Sequence, residues 1–385
     1  MKKIDEKLLS LCIPTFNRCS LLDSFIKNVI EESKGIENEI EVCISDNASN
    51  DETEKTVKKL SKSSKITIKF RKNAINVGYD KNATISLGMA SGKYCWLLGD
   101  DDEFSEGKLR SAVDLLKKNE PDYVFFNVAA KGTSRPFFFT EMEPNMFSFT
   151  APEFIHALIG SDFGKMPGSF MGSHCFRRKL LENVIAENKK EMEKYYGCAL
   201  IHYVAMFFII RFSRKIIVEN QSAYILGHGK GNNIMLPHEI VEISIVNFYK
   251  IFRNLMIDKI ITRTEFDGFI SYIIKSSYLK TLEMYVLIGF MKKLAYKYRE
   301  ELVKLEDMLD EYVKLVETDG KNILLVKLCR SLRNVVIKSG ELGYKLILKL
   351  PFKIKNSSAI RLLPDFKKGK VSTTKERDPG NWISA

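Results

Sequence analysis

Residues Tyr94 to Phe104 read Tyr-Cys-Trp-Leu-Leu-Gly-Asp-Asp-Asp-Glu-Phe, a short apolar run ending in three consecutive carboxylates, Asp100, Asp101 and Asp102. Adjacent like charges repel and lose hydration on burial, so such a cluster at a strand end is usually neutralised by a cation. Hard oxygen ligands suit Mg²⁺ or Mn²⁺, which commonly bind between one or two carboxylates and a substrate's phosphates. A solvated acidic loop is the plain alternative, and the rest of the chain decides between them.

The elements that must hold this triplet are legible upstream. Leu8–Ile13 is a continuous apolar run, and Leu21–Ile30 has helical spacing behind Ser20, which reads as its N-cap. Ile40–Ser45 and Ile66–Phe70 read as strands, with a charged helix at Asp51–Leu60 between them. Tyr79–Ala90 reads as helix, Tyr94–Leu98 as strand, Glu106–Lys117 as helix and Tyr123–Val128 as strand. Strand and helix alternating in this way imply an α/β fold with a mostly parallel sheet and helices on both faces. Such sheets bind ligands beyond the carboxyl ends of their strands. Pro14–Arg18, Asp46-Asn47, Asn73–Gly78 and the Asp triplet each follow a strand, so all four polar clusters are expected at one edge. That convergence argues against a fortuitous acidic loop.

Further along, Thr133 to about Lys165 breaks into aromatic, Pro-containing loops. Ser173–Phe176 looks like a strand, Gly197–Arg211 like an apolar helix, and Lys215–Val218 and Ala223–Leu226 like two short strands. A glycine-rich turn, Gly227 to Asn233, closes the block, and beyond Pro237 the pattern is helical to about Leu350. The expected division is 1–236 for the α/β domain, 237–319 for a helical region, 320–370 for a basic amphipathic segment and 371–385 for a disordered tail. No G-x-G-x-x-G opens a helix after the first strand and no P-loop occurs, so dinucleotide and Walker-type sites are not expected.

At 385 residues the chain has room for two domains, and its 45% apolar and 28% charged content is that of a globular protein. No apolar run is long enough to span a membrane, and Met1–Lys7 is followed by no signal-peptide pattern. Seven scattered cysteines without a CxxC pair fit buried thiols in a reducing compartment better than disulfides or a zinc site. The net charge of +12 is concentrated between Gly320 and Lys370, with thirteen Lys/Arg against two Asp/Glu. There Leu324, Leu328, Leu332, Val335 and Leu346 interleave with Lys327, Arg330, Arg333, Lys338 and Lys345, the pattern of a helix in an anionic membrane interface. A basic helix packed on the catalytic domain is the alternative. Nucleic-acid binding would use the same charge, but no zinc-finger or RNP signature accompanies it.

The strings LSLCIPTFNR, EVCISDNASND and NVGYDKNATISLGMASGKYCWLLGDDDEF, followed by an apolar helix with flanking strands, resemble the family-2 glycosyltransferases over roughly Leu8 to Asn233. The more specific likeness is to bacterial O-antigen and polysaccharide sugar transferases such as the abequosyltransferases. The resemblance implies the GT-A nucleotide-diphospho-sugar transferase fold and an inverting, metal-dependent transfer from a nucleoside-diphosphate sugar to a saccharide acceptor linked to lipid through undecaprenyl diphosphate. It implies a nucleobase and donor site at Pro14, Thr15, Asn17, Arg18, Asp46, Asn76, Gly78 and Asn82, with Asp100 and Asp101. It implies Mn²⁺ or Mg²⁺ on Asp100 and Asp102, although Gly99 stands where many relatives carry Asp and a slip of one residue would bring in Asp101. His228 in the glycine-rich turn is a third candidate ligand. Relatives commonly place their general base in a Glu-Asp pair before the late apolar helix; this chain has no carboxylate there, and His202 falls at that position. A buried structural histidine is the alternative for His202, and a GT-A-like sugar-binding protein without catalysis the alternative for the whole chain. The expected location is cytoplasmic, peripheral on the inner face of the membrane.

Overall fold

The computed structural model describes residues 7–130, 146–160, 170–199, 201–226 and 246–273. Its first half alternates β1 (Leu9–Thr15), α1 (Cys19–Glu32), β2 (Ile40–Asp46), α2 (Thr53–Ser63), β3 (Thr67–Lys72), α3 (Tyr79–Gly88) and β4 (Tyr94–Leu97). Then follow β5 (Glu103–Phe104), α4 (Lys108–Asn119), β6 (Tyr123–Ala130), β7 (Met146–Phe149), α5 (Ala151–Gly160), β8 (His174–Arg177), α6 (Arg178–Glu187), α7 (Lys189–Glu193), α8 (Ile201–Ile210) and β9 (Ile216–Leu226). Two further helices are α9 (Phe248–Ile257) and α10 (Arg263–Ile273).

The strands form one sheet in the order β3-β2-β1-β4-β8-β6-β9-β5, with β7 also paired to β9. β3, β2, β1 and β4 are mutually parallel, and β6 is parallel to β9. β8, β5 and β7 run antiparallel to their partners, so the sheet is mixed but mostly parallel. β1 and β2 are buried along their whole length, which is why both are rich in apolar residues on each face, with the buried Glu41 held by Ser10 and Lys69. In α1 the buried residues Leu22, Phe25, Ile26 and Val29 recur at helical spacing. Deleting one such side chain, as in Ile26→Ala, would cost about 2–5 kcal/mol.

Three local expectations change. Ser20 is not the N-cap of α1: the helix starts at Cys19, whose N–H donates to Asp51 Oδ2 at 2.9 Å across the neighbouring loop. The two strands expected after α8 are one strand, β9, whose register against β6 shifts between Phe126 and Val128. At that irregularity the buried Asn127 donates through Nδ2 to the buried Asn220 Oδ1 at 2.5 Å, satisfying side chains that the ladder alone would strand. The stretch expected to be only loops contains β7 and α5, where Phe154 packs against Tyr123, Phe125 and Phe149.

Two compact units divide the chain, one holding the sheet together with residues 255–265, the other including residues 246–254 and 266–273. In the second, Phe252 stacks on Phe269 with ring centroids 4.1 Å apart. The expected basic segment 320–370, the tail, His228 and its glycine-rich turn all lie outside the described residues.

Candidate active site

The carboxyl ends of β1, β2 and β4 meet through side chains. Thr15 pairs in register with Asp46, Asn47 N–H donates to Thr15 O at 2.9 Å, and Leu98 N–H donates to Cys12 O at 2.9 Å. Thr15 Oγ1 donates to Asp100 Oδ2 at 2.6 Å. Arg18 spans the acidic cluster, with Nη1 2.9 Å from Asp100 Oδ1 and Nη2 2.6 Å from Asp101 Oδ2. The four polar clusters therefore share one edge, as the β-α order requires.

The triplet is not three equivalent acids. Asp100 and Asp102 are buried, while Asp101 is partly open to solvent. Burial pushes the Asp100 carboxyl up to about 6, with Arg18 opposing and the Asp101 charge reinforcing the rise. Asp102 Oδ2 accepts the Gly99 N–H at 2.8 Å, closing the turn after β4. A Cβ on Gly99 would lie 3.0 Å from Asp101 Oδ1 and 3.1 Å from Asp102 Oδ2, so an Asp at this position would displace the two carboxylates that follow.

Two of the expected donor-site residues are committed to the framework. Asn82 Oδ1 accepts from Ser45 Oγ at 2.7 Å and Asn73 Nδ2 at 2.9 Å, while its Nδ2 donates to Ser45 O at 3.0 Å and Thr15 O at 3.4 Å. Its amide thereby joins three loops, and it is buried. Asn17, in the left-handed region at φ 52°, accepts Asn50 N–H at 2.9 Å and donates its own N–H to Ser49 Oγ at 2.8 Å. Its side chain fastens the first loop to the second. Asn76 Oδ1 accepts from Asn47 Nδ2 at 2.7 Å and Gly78 N at 2.9 Å, and Gly78 has φ 83°, where a side chain would be strained. Asn17 and Asn76 are exposed and Arg18, Gly78 and Asp101 partly so, whereas Pro14 is buried in β1.

Asp46 differs from its neighbours. Its Oδ1 accepts Ser49 N–H at 2.9 Å, but the buried Oδ2 has no hydrogen-bond partner among the described residues. A buried carboxylate oxygen without a donor is costly, and such exceptions mark places where a ligand supplies the missing partner.

A divalent ion fits this edge by donor chemistry: the oxygens are hard and carry excess negative charge. Asp101 Oδ1 and Asp102 Oδ2 both lie beside Gly99, the latter accepting its N–H, whereas both Asp100 oxygens are engaged by the side chains of Thr15 and Arg18. Among the described residues no three His, Cys, Asp or Glu side chains are gathered tightly enough to enclose an ion by themselves, so substrate oxygens would have to complete its shell.

His202 lies in the first turn of α8, 3% exposed, with Nδ1 3.1 Å from Tyr79 Oη and its ring 5.3 Å from that of His174. The N-terminus of α8 does carry a carboxylate, Asp80, supplied by α3 rather than by the helix itself; it accepts the N–H groups of Gly197, Ala199 and Ile201. Sequence reasoning missed Asp80, because an acid one residue into α3 reads as a dipole partner of its own helix.

Residues 10–185 match the family model described as Glycosyl transferase family 2. Abequosyltransferase RfbV of Salmonella typhimurium is 38% identical over 26% of this chain and 30% of its own length. A GalNAc(5)-diNAcBac-PP-undecaprenol beta-1,3-glucosyltransferase of Campylobacter jejuni is 29% identical over 58% of this chain and 68% of its own. The chain thus spans under a third of the first relative and about two thirds of the second. Among solved structures, S. aureus TarS 1-349 in complex with UDP-GlcNAc superposes with a TM-score of 0.56 at 16% identity, covering 78% of this chain and 80% of that one. A mannosyltransferase from Pyrobaculum calidifontis in complex with GDP-Man and Mn²⁺ gives 0.51 at 13% identity, covering 94% and 86%.

Proposed function

We propose, for a chain that belongs to the family-2 glycosyltransferases through residues 10–185 and has a GT-A fold, that it transfers one sugar, with inversion, from a nucleoside-diphosphate donor to a saccharide acceptor in bacterial surface-polysaccharide synthesis. The observation that carries this reading is the linked edge of Thr15, Arg18, Asp100 and Asp101 beside the unsatisfied Asp46 oxygen. A nucleobase N–H would supply the donor that Asp46 Oδ2 lacks. Arg18 would exchange its carboxylate partners for diphosphate oxygens, which a guanidinium binds equally well.

Asp101 and Asp102, with Asp100 behind them, would hold Mn²⁺ or Mg²⁺. The ion would neutralise the charge that develops on the departing diphosphate. In the transfer, the acceptor hydroxyl oxygen bonds to the anomeric carbon as the bond to the diphosphate oxygen breaks. The hydroxyl proton passes to His202 Nε2, since a neutral imidazole accepts protons near pH 7. A lipid-diphosphate acceptor is the class that suits the substrate for which the Campylobacter relative is named.

Association with the inner face of the membrane would come from the basic 320–370 segment; among the described residues no helix is long and apolar enough to cross a bilayer. Flotation with anionic vesicles tests this. Loss of binding on truncation after Gly320 is expected, and unchanged binding removes the segment as the anchor.

Turnover of UDP-, GDP-, CDP- and dTDP-sugars with Mn²⁺ is the deciding experiment for the activity. Activity abolished by EDTA and by Asp102→Ala supports the reading. Binding of a nucleotide sugar without transfer to any saccharide would instead identify a sugar-binding protein that has lost its chemistry.

A further inference from the structure

Asp80 and its neighbour Tyr79 are tied to His202 from two directions. Asp80 is 2% exposed; its Oδ2 accepts Gly197 N–H at 2.7 Å and Ala199 N–H at 3.0 Å, and its Oδ1 accepts Ile201 N–H at 3.0 Å. Gly197 and Ala199 have φ of 93° and 58°, and a turn of such residues aims successive amides at one point, a concavity suited to an anion. Here the anion belongs to the chain itself. Left-handed backbone at an alanine is unfavourable, so the surrounding contacts must impose it.

The Ile201 amide opens α8 at the positive pole of that helix, the other two lie just ahead of it, and His202 is the helix's second residue. An uncompensated positive pole opposes formation of imidazolium and so weakens a histidine as a proton acceptor. The Asp80 charge offsets that field at its source.

Tyr79 Oη is 3.1 Å from His202 Nδ1 and 3.1 Å from Met171 Sδ. Burial pushes the Tyr79 hydroxyl well above its ordinary value, with the charges of Asp80 and Asp102 adding to the rise, so the hydroxyl keeps its proton. A thioether sulfur can only accept. With the hydroxyl proton on Met171, the Tyr79 oxygen accepts Nδ1–H and Nε2 carries the lone pair. Met171 is held in place by the turn whose Gly172 O accepts the Trp96 indole N–H at 2.7 Å. Among the described residues, the titratable groups placed about His202 are Tyr79 on α3 and His174 on β8, with Asp80 on the backbone of the preceding turn and Asp102 acting on Tyr79 from the acidic cluster.

We propose that Asp80 and Tyr79 are positioning residues for His202: the carboxylate holds the 197–201 turn and offsets the helix pole, while the hydroxyl selects the Nδ1–H tautomer. Nε2 is thereby set as the proton acceptor that the glycosyltransferase reading above requires. The family-typical carboxylate absent from this stretch of sequence is replaced by one arriving from another helix, which now acts through a histidine.

The test is nitrogen-detected NMR of the full chain labelled with ¹⁵N-histidine, with His202→Gln identifying the His202 signals, beside steady-state kinetics of the same proteins. The wild type should show the Nδ1–H tautomer at neutral pH. Asp80→Asn should lower the His202 titration midpoint by about one pH unit and move the acid limb of kcat the same way, with donor KM within about twofold. Tyr79→Phe should release the tautomer, giving signals of both. A wild-type Nε2–H tautomer, or an Asp80→Asn midpoint equal to the wild type's, overturns the proposal. If Asp80→Asn does not fold, the wild-type and Tyr79→Phe spectra decide on the tautomer: retention of a single tautomer in Tyr79→Phe rejects the hydroxyl's role. Absence of turnover with every nucleotide sugar would reject the transferase reading, while the spectra still decide whether Asp80 and Tyr79 govern His202.

Discussion

Thr15 Oγ1 donates to Asp100 Oδ2 at 2.6 Å, joining residues 85 positions apart. The contact exists because β1 and β4 are neighbours in the sheet with Cys12 opposite Leu97, so Thr15 and Asp100 each follow three residues beyond that pair. It ties the first loop to the acidic cluster, and Arg18 closes the same link from the solvent side.

Asp100 makes stability depend on pH in a particular sense. Burial holds its carboxyl up at about 6 against Arg18, so the folded protein binds a proton that the unfolded chain, with an ordinary Asp, has already released. The folded state should therefore lose stability from this group as pH rises from about 4 to about 6. Relative to the wild type, Asp100→Asn should gain on the order of 2–3 kcal/mol across that window in urea unfolding, while turnover falls at least about 100-fold. Arg18→Ala should move the Asp100 midpoint further up, because the opposing cation is gone.

Glu41 has the opposite sign. Burial raises its carboxyl, but bonds from Ser10 Oγ, Lys69 and Ser91 outweigh burial and bring it down to about 2. Its contribution is complete above the ordinary glutamate range and is lost as pH falls from about 4.5 to about 2. Glu41→Gln should be less stable than wild type by on the order of 2–4 kcal/mol at pH 7, a gap that closes in acid. Donor KM should not change, since Glu41 lies toward the opposite end of β2 from Asp46.

Two glycines are required by space rather than by backbone angle. A Cβ on Gly92 would meet Ser10 Oγ at 2.8 Å and backbone atoms of Leu9 and Ser10 at 3.0 Å, so Gly92→Ala should destabilise by about 1–3 kcal/mol in thermal or urea unfolding. Gly99→Ala presses only on the Asp101 and Asp102 carboxylates. It should unfold near the wild-type temperature yet show at least about tenfold weaker Mn²⁺ activation. Equal activation in Gly99→Ala would show that those two carboxylates need not keep their positions.

Asp46→Asn separates recognition from stability. Because Oδ2 has no donor to lose, the variant should unfold within about 1 kcal/mol of the wild type. Nucleotide affinity, measured by calorimetry, should fall about 10–100-fold as an amide N–H faces the base's own donor.

The opening half of the chain could be read without coordinates because each of its strands is fully buried or bounded by polar loops, and period and burial are local properties. Parallel order then placed Thr15, Asp46, Asn76 and the Asp triplet at one edge. Local spacing also put His202 at the head of an apolar helix. It could not reveal what the side chains do there: Asn17 and Asn82 look like ligand contacts and are committed to holding loops together. It could not place β8 antiparallel between β4 and β6, since strand order is a long-range choice. Nor could it unite Asp80 with residues 197–201, because that pairing spans more than a hundred positions and depends on α3 and α8 packing within one unit. Residue types and their period along the chain determined which polar loops gather at one edge of the sheet. Only tertiary packing decided which carboxylates are buried, which are bridged by Arg18, and which one reaches the helix that bears His202, because burial and pairing are set by neighbours in space.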